Sequence, residues 1–212
     1  MWNKLKEQFN LLKLEKKKLC LITNSDKFVS KDEFLDAVAS ALQGGVDMIM
    51  FRETVIPDSV IVELGHKIRT LCDEYGATFI VNNRADIASI VEADGVHLGQ
   101  DDICAEDAKL VLGENAIIGI TAHNPKEIVN AINQGADYIT FEAFPEKGET
   151  VEDYIEWVNN NVEIPVFIAG EINMNNIPQH ISMGTKKIAL TEAIMYSQSP
   201  ELTARQFLTY LP

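Results

Sequence analysis

The segment from Phe79 to Asp102 constrains the fold more than any other part of the chain. A short apolar run, Phe79 to Val81, stops at the polar pair Asn82-Asn83, after which Ile87, Ile90 and Val91 recur at helical spacing. Gly95 opens a second apolar run, Val96 to Leu98, which ends in Gly99-Gln100-Asp101-Asp102. Two apolar runs joined through a helix over about two dozen residues make a βαβ unit, with parallel strands and a right-handed crossover. Both strands then finish on the same side of the sheet, so Asn82, Asn83 and Arg84 share an opening with Gln100, Asp101 and Asp102. That side is where α/β proteins collect their ligand-binding side chains.

The same alternation runs through the rest of the chain. Residues 19–24 and 46–51 read as strands, the second ending in Arg52-Glu53-Thr54. Between them Ser30 caps a helix to Leu42, with Glu33 completing a capping box and Gly44-Gly45 stopping it. Asp58 caps a helix that runs to Tyr75 and ends at Gly76. Beyond the βαβ unit, helices are expected at 105–112, 125–134, 151–159, 174–181 and 200–211. Strands are expected at 116–120, 138–141, 165–169 and 187–190. Their polar tips are Thr121 to Asn124, then Glu142 to Gly148 with Lys147, then Gly170-Glu171, and last Thr191-Glu192.

Unbroken strand-helix alternation over 212 residues favours a closed barrel over an open doubly wound sheet, and no Gly-x-Gly-x-x-Gly follows the first strand to argue otherwise. The expected fold class is α/β, a single (β/α)8 TIM barrel with an extra N-terminal helix. Residues 1–18 form that helix and residues 19–212 the barrel domain. Trp2, Leu5, Phe9 and Leu12 give the helix one apolar face, expected to dock on the barrel floor; a membrane-surface helix is the alternative.

Composition removes several function classes. With 18 basic against 32 acidic residues the chain carries −14, which argues against a nucleic-acid surface. No apolar run has membrane-spanning length, and the first 18 residues lack the apolar core of a secretory signal, so a cytoplasmic protein is expected. Cys20, Cys72 and Cys104 are widely spaced without a Cys-x-x-Cys pair, which fits neither a disulfide framework nor a zinc site.

The residues ringing the expected mouth resemble those of the thiamin-phosphate synthase and thiazole tautomerase family. The strongest piece is Gly95-Val96-His97-Leu98-Gly99-Gln100-Asp101-Asp102, supported by Phe51-Arg52-Glu53-Thr54, Val81-Asn82-Asn83-Arg84 and Gly119-Ile120-Thr121-Ala122-His123. The resemblance implies an enzyme of thiamin biosynthesis that joins an aminopyrimidine diphosphate to a thiazole phosphate and releases pyrophosphate. It implies Mg2+ held by Asp102 and Asn83, and Arg52 neutralising the leaving diphosphate with Lys147 beside it. It also implies Asn82 as a diphosphate donor, Thr121 near the pyrimidine, and a phosphate cup at Gly170, Glu171, Thr191 and Glu192. His123 matches the base of the tautomerase, a histidine that synthases also carry. The partners implied are small molecules, and a homo-oligomer is left open.

Plainer readings stand beside these. Asp102 can simply favour the start of the following helix, Arg52 can form a structural ion pair, and His97 reads as a satisfied core histidine. Gln100 and Arg84 can do no more than tie loops, and Asn24 has no assigned role.

The sequence departs from the family pattern where phosphates should sit. Thr54 replaces a lysine, Asn83 an aspartate, Glu171 a glycine and Glu192 a serine, and the loop after the sixth strand lacks its hydroxyls. A carboxylate about 5 Å from a phosphate charge repels it by roughly 3 kcal/mol at an effective dielectric near 20. Lys186 and Lys187 start the eighth strand and lie at the wrong end to compensate. These departures motivate two rivals: a non-catalytic or regulatory barrel binding an unphosphorylated thiamin-related ligand, or a tautomerase using His123.

Overall fold

The computed structural model describes residue 10 and residues 12–212. Eight parallel strands, each paired with the next and the eighth with the first, close into a barrel. In chain order they are β1 (Leu19–Ile22), β2 (Met48–Phe51), β3 (Thr78–Asn82), β4 (Gly95–Leu98), β5 (Ile117–Ala122), β6 (Tyr138–Phe141), β7 (Val166–Ile168) and β8 (Ile188–Leu190). The helices around them are α1 (Lys31–Gln43), α2 (Asp58–Tyr75), α3 (Ala85–Ile90), α4 (Ala105–Leu112), α5 (Pro125–Asn133), α6 (Val151–Asn161), α7 (Ile177–Ser182), α8 (Glu192–Met195) and α9 (Pro200–Tyr210). The (β/α)8 TIM barrel read from the alternation is the fold.

Strand residues alternate between two apolar layers because successive side chains leave a strand on opposite faces. Cys20, Met48, Met50, Ile80, Ile117, Tyr138, Phe167 and Ala189 point into the barrel. Leu21, Ile49, Phe79, Val96, Ile118, Ile139 and Ile188 point out and pack under the helices. Glycine makes room for the largest inward side chain: a Cβ on Gly119 would lie 2.1 Å from the Tyr138 ring.

Leu14 is fully buried and joins the inward cluster at the floor, a burial that stabilises by about 2 kcal/mol. Around it Lys13 pairs with Asp94 at 2.6 Å, and the Lys187 ammonium donates to the carbonyls of Leu14, Glu15 and Lys17. The expected apolar face is seated differently: Leu12 is 54% exposed, and Trp2, Leu5 and Phe9 lie outside the described residues.

The structure departs from the local sequence signals in four places. Ser30 caps α1 through the Glu33 N–H as expected, but the Glu33 carboxylate accepts from Val29 N–H, one residue ahead of a capping box. Asp58 lies inside α2, whose N-cap is Pro57, and its carboxylate pairs with Arg84 instead. The segment after β8 turns into the short helix α8 rather than an open loop, and α7 begins at Ile177, three residues later than expected.

Candidate active site

Stepping two residues at a time up the inward face of each strand leads from the core into a cavity of about 920 Å³ at the carboxyl mouth. On β2 the sequence is Met48, Met50, Arg52; on β3 Ile80, Asn82; on β4 His97, Gly99; on β5 Ile117, Gly119, Thr121; on β6 Tyr138, Thr140, Glu142. Past β7 and β8 the same parity delivers Ala169 and Glu171, and Ala189 and Thr191. Arg52, Asn82, Asn83, Thr121, Gly170, Glu171, Thr191 and Glu192 therefore line one cavity, as the sequence placed them. Thr140 and Glu142 line it as well and had not been singled out. The signal for both was this two-residue step beyond Tyr138.

His123, Lys147 and Asp102 do not line that cavity. β5 ends at Ala122, and the following turn carries His123 onto the Glu127 carboxylate, 2.9 Å from Nδ1, stacked 4.9 Å from the Phe144 ring. Lys147 is exposed in the loop after β6. Asp102 sits three residues before α4, so the helix start does not account for it; its carboxylate accepts the Gly99 N–H at 2.7 Å and folds its own loop. It lines a smaller cleft that shares Gly99 with the mouth.

The donor set fits magnesium poorly. Mg2+ needs oxygen ligands, usually one or two carboxylates together with substrate phosphates. The Asn83 carboxamide oxygen accepts from the Asn82 side chain at 2.6 Å, and Asp102, with one of its two oxygens on the Gly99 N–H, lines the neighbouring cleft rather than the cavity that Asn83 lines. Among the described residues no three His, Cys, Asp or Glu side chains are grouped to hold a metal ion.

Arg52 differs from every other arginine in the chain. Arg69 pairs with Asp73 and Asp94, Arg84 with Asp58 and Asp86, and Arg205 with Glu201. The Arg52 guanidinium has no carboxylate within ion-pair distance among the described residues, while its backbone N–H is fixed by the Thr23 hydroxyl at 3.0 Å. An unpaired guanidinium in a cavity wall is set up to receive an anion.

The two late glutamates are exposed. Glu192 turns to Lys27, 3.3 Å away, and that ammonium lies over the Tyr196 ring at 4.3 Å. Lys27, in the loop after β1, is a cation the sequence reading overlooked. It stands at the mouth, whereas Lys187 binds carbonyls at the floor. Among the described residues the Glu171 carboxylate has no hydrogen-bond or ion-pair partner, while its backbone carbonyl accepts from Asn176 at 2.7 Å.

The floor of the mouth is neutral. His97 is buried and reads as the satisfied core histidine expected, with Nδ1 3.1 Å from the Tyr138 hydroxyl and Nε2 2.8 Å from Thr121 Oγ1 and 3.0 Å from Thr140 Oγ1. Burial pushes its pKa down to about 3, so it is uncharged at neutral pH. Gln100 and Arg84 tie loops: Gln100 donates to the Thr121 carbonyl, and Arg84 bridges Asp58 and Asp86.

A closed parallel barrel whose inward positions end in polar groups around one cavity defines a (β/α)8 protein with polar side chains gathered at the carboxyl mouth, the end where proteins of this fold place their sites. A sequence model of the family described as thiamine monophosphate synthase matches residues 19–194, and the chain belongs to that family. It is 35% identical over 210 residues to the thiamine-phosphate synthase of Thermosynechococcus vestitus, covering 96% of this chain and 58% of that protein. The chain thus spans little more than half the length of that relative. A Geobacter sulfurreducens protein provisionally named for the same activity is 37% identical, over 92% of this chain and 94% of its own length. The solved thiamine phosphate pyrophosphorylase of Pyrococcus furiosus superposes with a TM-score of 0.82 at 30% identity, covering 94% of this chain and 96% of that one. No helix among the described residues is long and apolar enough to cross a membrane.

Proposed function

We propose that this chain joins an aminopyrimidine diphosphate to a thiazole phosphate and releases pyrophosphate. The observation that carries the reading is Arg52, an unpaired guanidinium in the mouth wall. In the reaction the bond from the pyrimidine methylene carbon to the diphosphate oxygen breaks, and the pyrophosphate leaves with the electron pair. The thiazole ring nitrogen then donates its lone pair to that carbon. Arg52 neutralises the charge that grows on the leaving group. Asn82 donates to the diphosphate, Thr121 meets the pyrimidine, and Lys147, exposed on its loop, approaches the leaving group once substrate is bound. Gly170 and Thr191 receive the thiazole phosphate, with Lys27 offsetting Glu192. No step is routed through magnesium, since Asp102 lines a different cleft from Asn83 and the Asn83 oxygen is held by Asn82.

Incubating the purified protein with both substrates, with and without magnesium, is the test. Thiamin phosphate should form, and none at high enzyme concentration would reject the activity.

One observation favours a second reading. Glu142, Glu171 and Glu192 all line the mouth against the single arginine. That balance suits an unphosphorylated or cationic thiamin-related ligand held without turnover. Stabilisation in a thermal-shift assay by thiamin but not by its phosphate would select it.

A further inference from the structure

Tyr138, His97, Thr140 and Thr121 form a chain of hydrogen bonds that climbs from the barrel interior to the mouth. The direction in which its hydrogens point follows from what each group can donate.

The chain is fixed at its lower end. Tyr138 is fully buried, and among the described residues the only hydrogen-bond partner of its hydroxyl is His97 Nδ1 at 3.1 Å. Were Nδ1 to carry the imidazole proton, it would donate to the tyrosine oxygen and leave the tyrosine O–H buried with no acceptor, an arrangement folded proteins avoid. The tyrosine O–H must therefore donate to Nδ1, and the ring proton sits on Nε2. Neutral imidazole has one donor and one acceptor, so Nε2–H then donates to Thr121 Oγ1 at 2.8 Å, shared with Thr140 Oγ1 at 3.0 Å.

The upper end follows from counting hydrogens. Thr121 Oγ1 and Thr140 Oγ1 lie 3.3 Å apart, and both accept from Nε2–H. Between them they hold two hydroxyl hydrogens, and their mutual contact uses one. Whichever hydroxyl donates to the other, the second hydrogen is left pointing at the cavity that both residues line.

We infer that Tyr138, acting through His97, makes the Thr121–Thr140 pair a one-way hydrogen-bond donor at the floor of the mouth, so that the bound ligand must present an acceptor there. Tyr138 and His97 are positioning residues, since among the described residues neither side chain hydrogen-bonds anything outside this set of four. For the aminopyrimidine substrate, a clause that rests on the function proposed above, the matching atom is a ring nitrogen and not the amino group. A pocket built to donate rejects an analogue lacking the acceptor, because the donor is then desolvated and unmatched.

The ring nitrogens of His97 report the arrangement directly by ¹⁵N NMR on the ligand-free protein. The expected spectrum has a protonated Nε2, an unprotonated hydrogen-bonded Nδ1, and no titration between pH 8 and about 5. In Tyr138→Phe the Nδ1–H form should become populated, since the group that excluded it is gone. A wild-type His97 protonated on Nδ1 would overturn the inference without need of any variant. Binding supplies the second arm. Of two thiamin phosphate analogues, each with one pyrimidine ring nitrogen replaced by C–H, one should bind wild type roughly three- to ten-fold more weakly than the parent and lose this penalty in the double variant Thr121→Val, Thr140→Val. If both analogues match the parent in wild type, the inference fails. If thiamin phosphate itself does not bind, the functional reading falls, and the tautomer of His97 alone decides the hydrogen-bond chain.

Discussion

The Lys27 ammonium lies 3.3 Å from the Glu192 carboxylate, bridging the loop after β1 to the start of α8. Both side chains are more than half exposed, at 60% and 73%. A glutamate read from sequence as an obstacle to phosphate is thus paired with a cation at the mouth it lines. Exposed ion pairs of this kind are worth at most about 1 kcal/mol, so the pair holds Glu192 loosely.

Replacing that carboxylate should improve the cup. In Glu192→Ser the repulsion is removed and Lys27 is freed to meet a phosphate oxygen. Thiazole phosphate should bind more tightly by a factor of roughly five, about 1 kcal/mol at this exposure, with the gain shrinking as salt is raised. Isothermal titration at two ionic strengths checks it. Lys27→Ala should move affinity the other way.

Arg52→Ala should lower kcat/KM for the coupling reaction by about 100-fold, the scale of losing one preorganised charge-stabilising donor. Arg52→Lys should recover only part, because a point charge does not reproduce the guanidinium fork. The side chain is exposed and has no ion pair to lose, so the urea unfolding midpoint should stay where it is. A matching drop in stability would mean that Arg52 is structural. Steady-state kinetics and urea melts separate the two.

The barrel was legible because its signal is repeated: eight apolar runs, each closed by a polar tip and separated by helix-length segments, leave little freedom once closure is required. The mouth was legible where residues stay in strand register. Arg52, Asn82 and Thr121 follow from two-residue steps, and the same rule applied beyond Tyr138 reaches Thr140 and Glu142. It failed where the chain had left the strand. His123, Asp102 and Lys147 lie past the ends of β5, β4 and β6, and there a local partner or open solvent fixes direction rather than sheet parity: Glu127 takes His123 and Gly99 takes Asp102. Lys27 was missed for the related reason that only closure of β8 on β1 brings it to Glu192. Helix α8, four residues long, carries too little periodicity to be read.

Gly119 should be intolerant of even one methyl group. A Cβ there would sit 2.1 to 2.4 Å from the Tyr138 ring and hydroxyl, and Tyr138 is held by His97 on one side and packs edge-on against Phe167 on the other. Overpacking of that kind costs roughly 1–3 kcal/mol or more. Gly119→Ala should therefore lower unfolding free energy by that amount in urea melts. It should also disturb the His97 ring signals, because Tyr138 can yield only by moving its hydroxyl.

Asp94 makes the floor pH-dependent. Burial pushes its carboxyl pKa up, but Lys13, the Phe79 N–H and Arg69, at 2.6, 2.7 and 3.1 Å, together outweigh burial and hold it below the usual aspartate value. A depressed folded pKa adds stability that is fully present above the unfolded value of about 3.9 and is lost as pH falls through the folded one. Asp94→Asn keeps the shape but loses the charge, and should cost about 2 kcal/mol at pH 7, the worth of hydrogen bonds to a charged group. The difference from wild type should hold down to about pH 5 and shrink below pH 4, where the wild-type carboxylate itself takes up a proton. Urea unfolding at pH 7, 5 and 3 measures this directly. A gap as wide at pH 3 as at pH 7 would mean that the carboxylate's charge contributes nothing, and that shape alone ties the N-terminal segment through Lys13 to the floor.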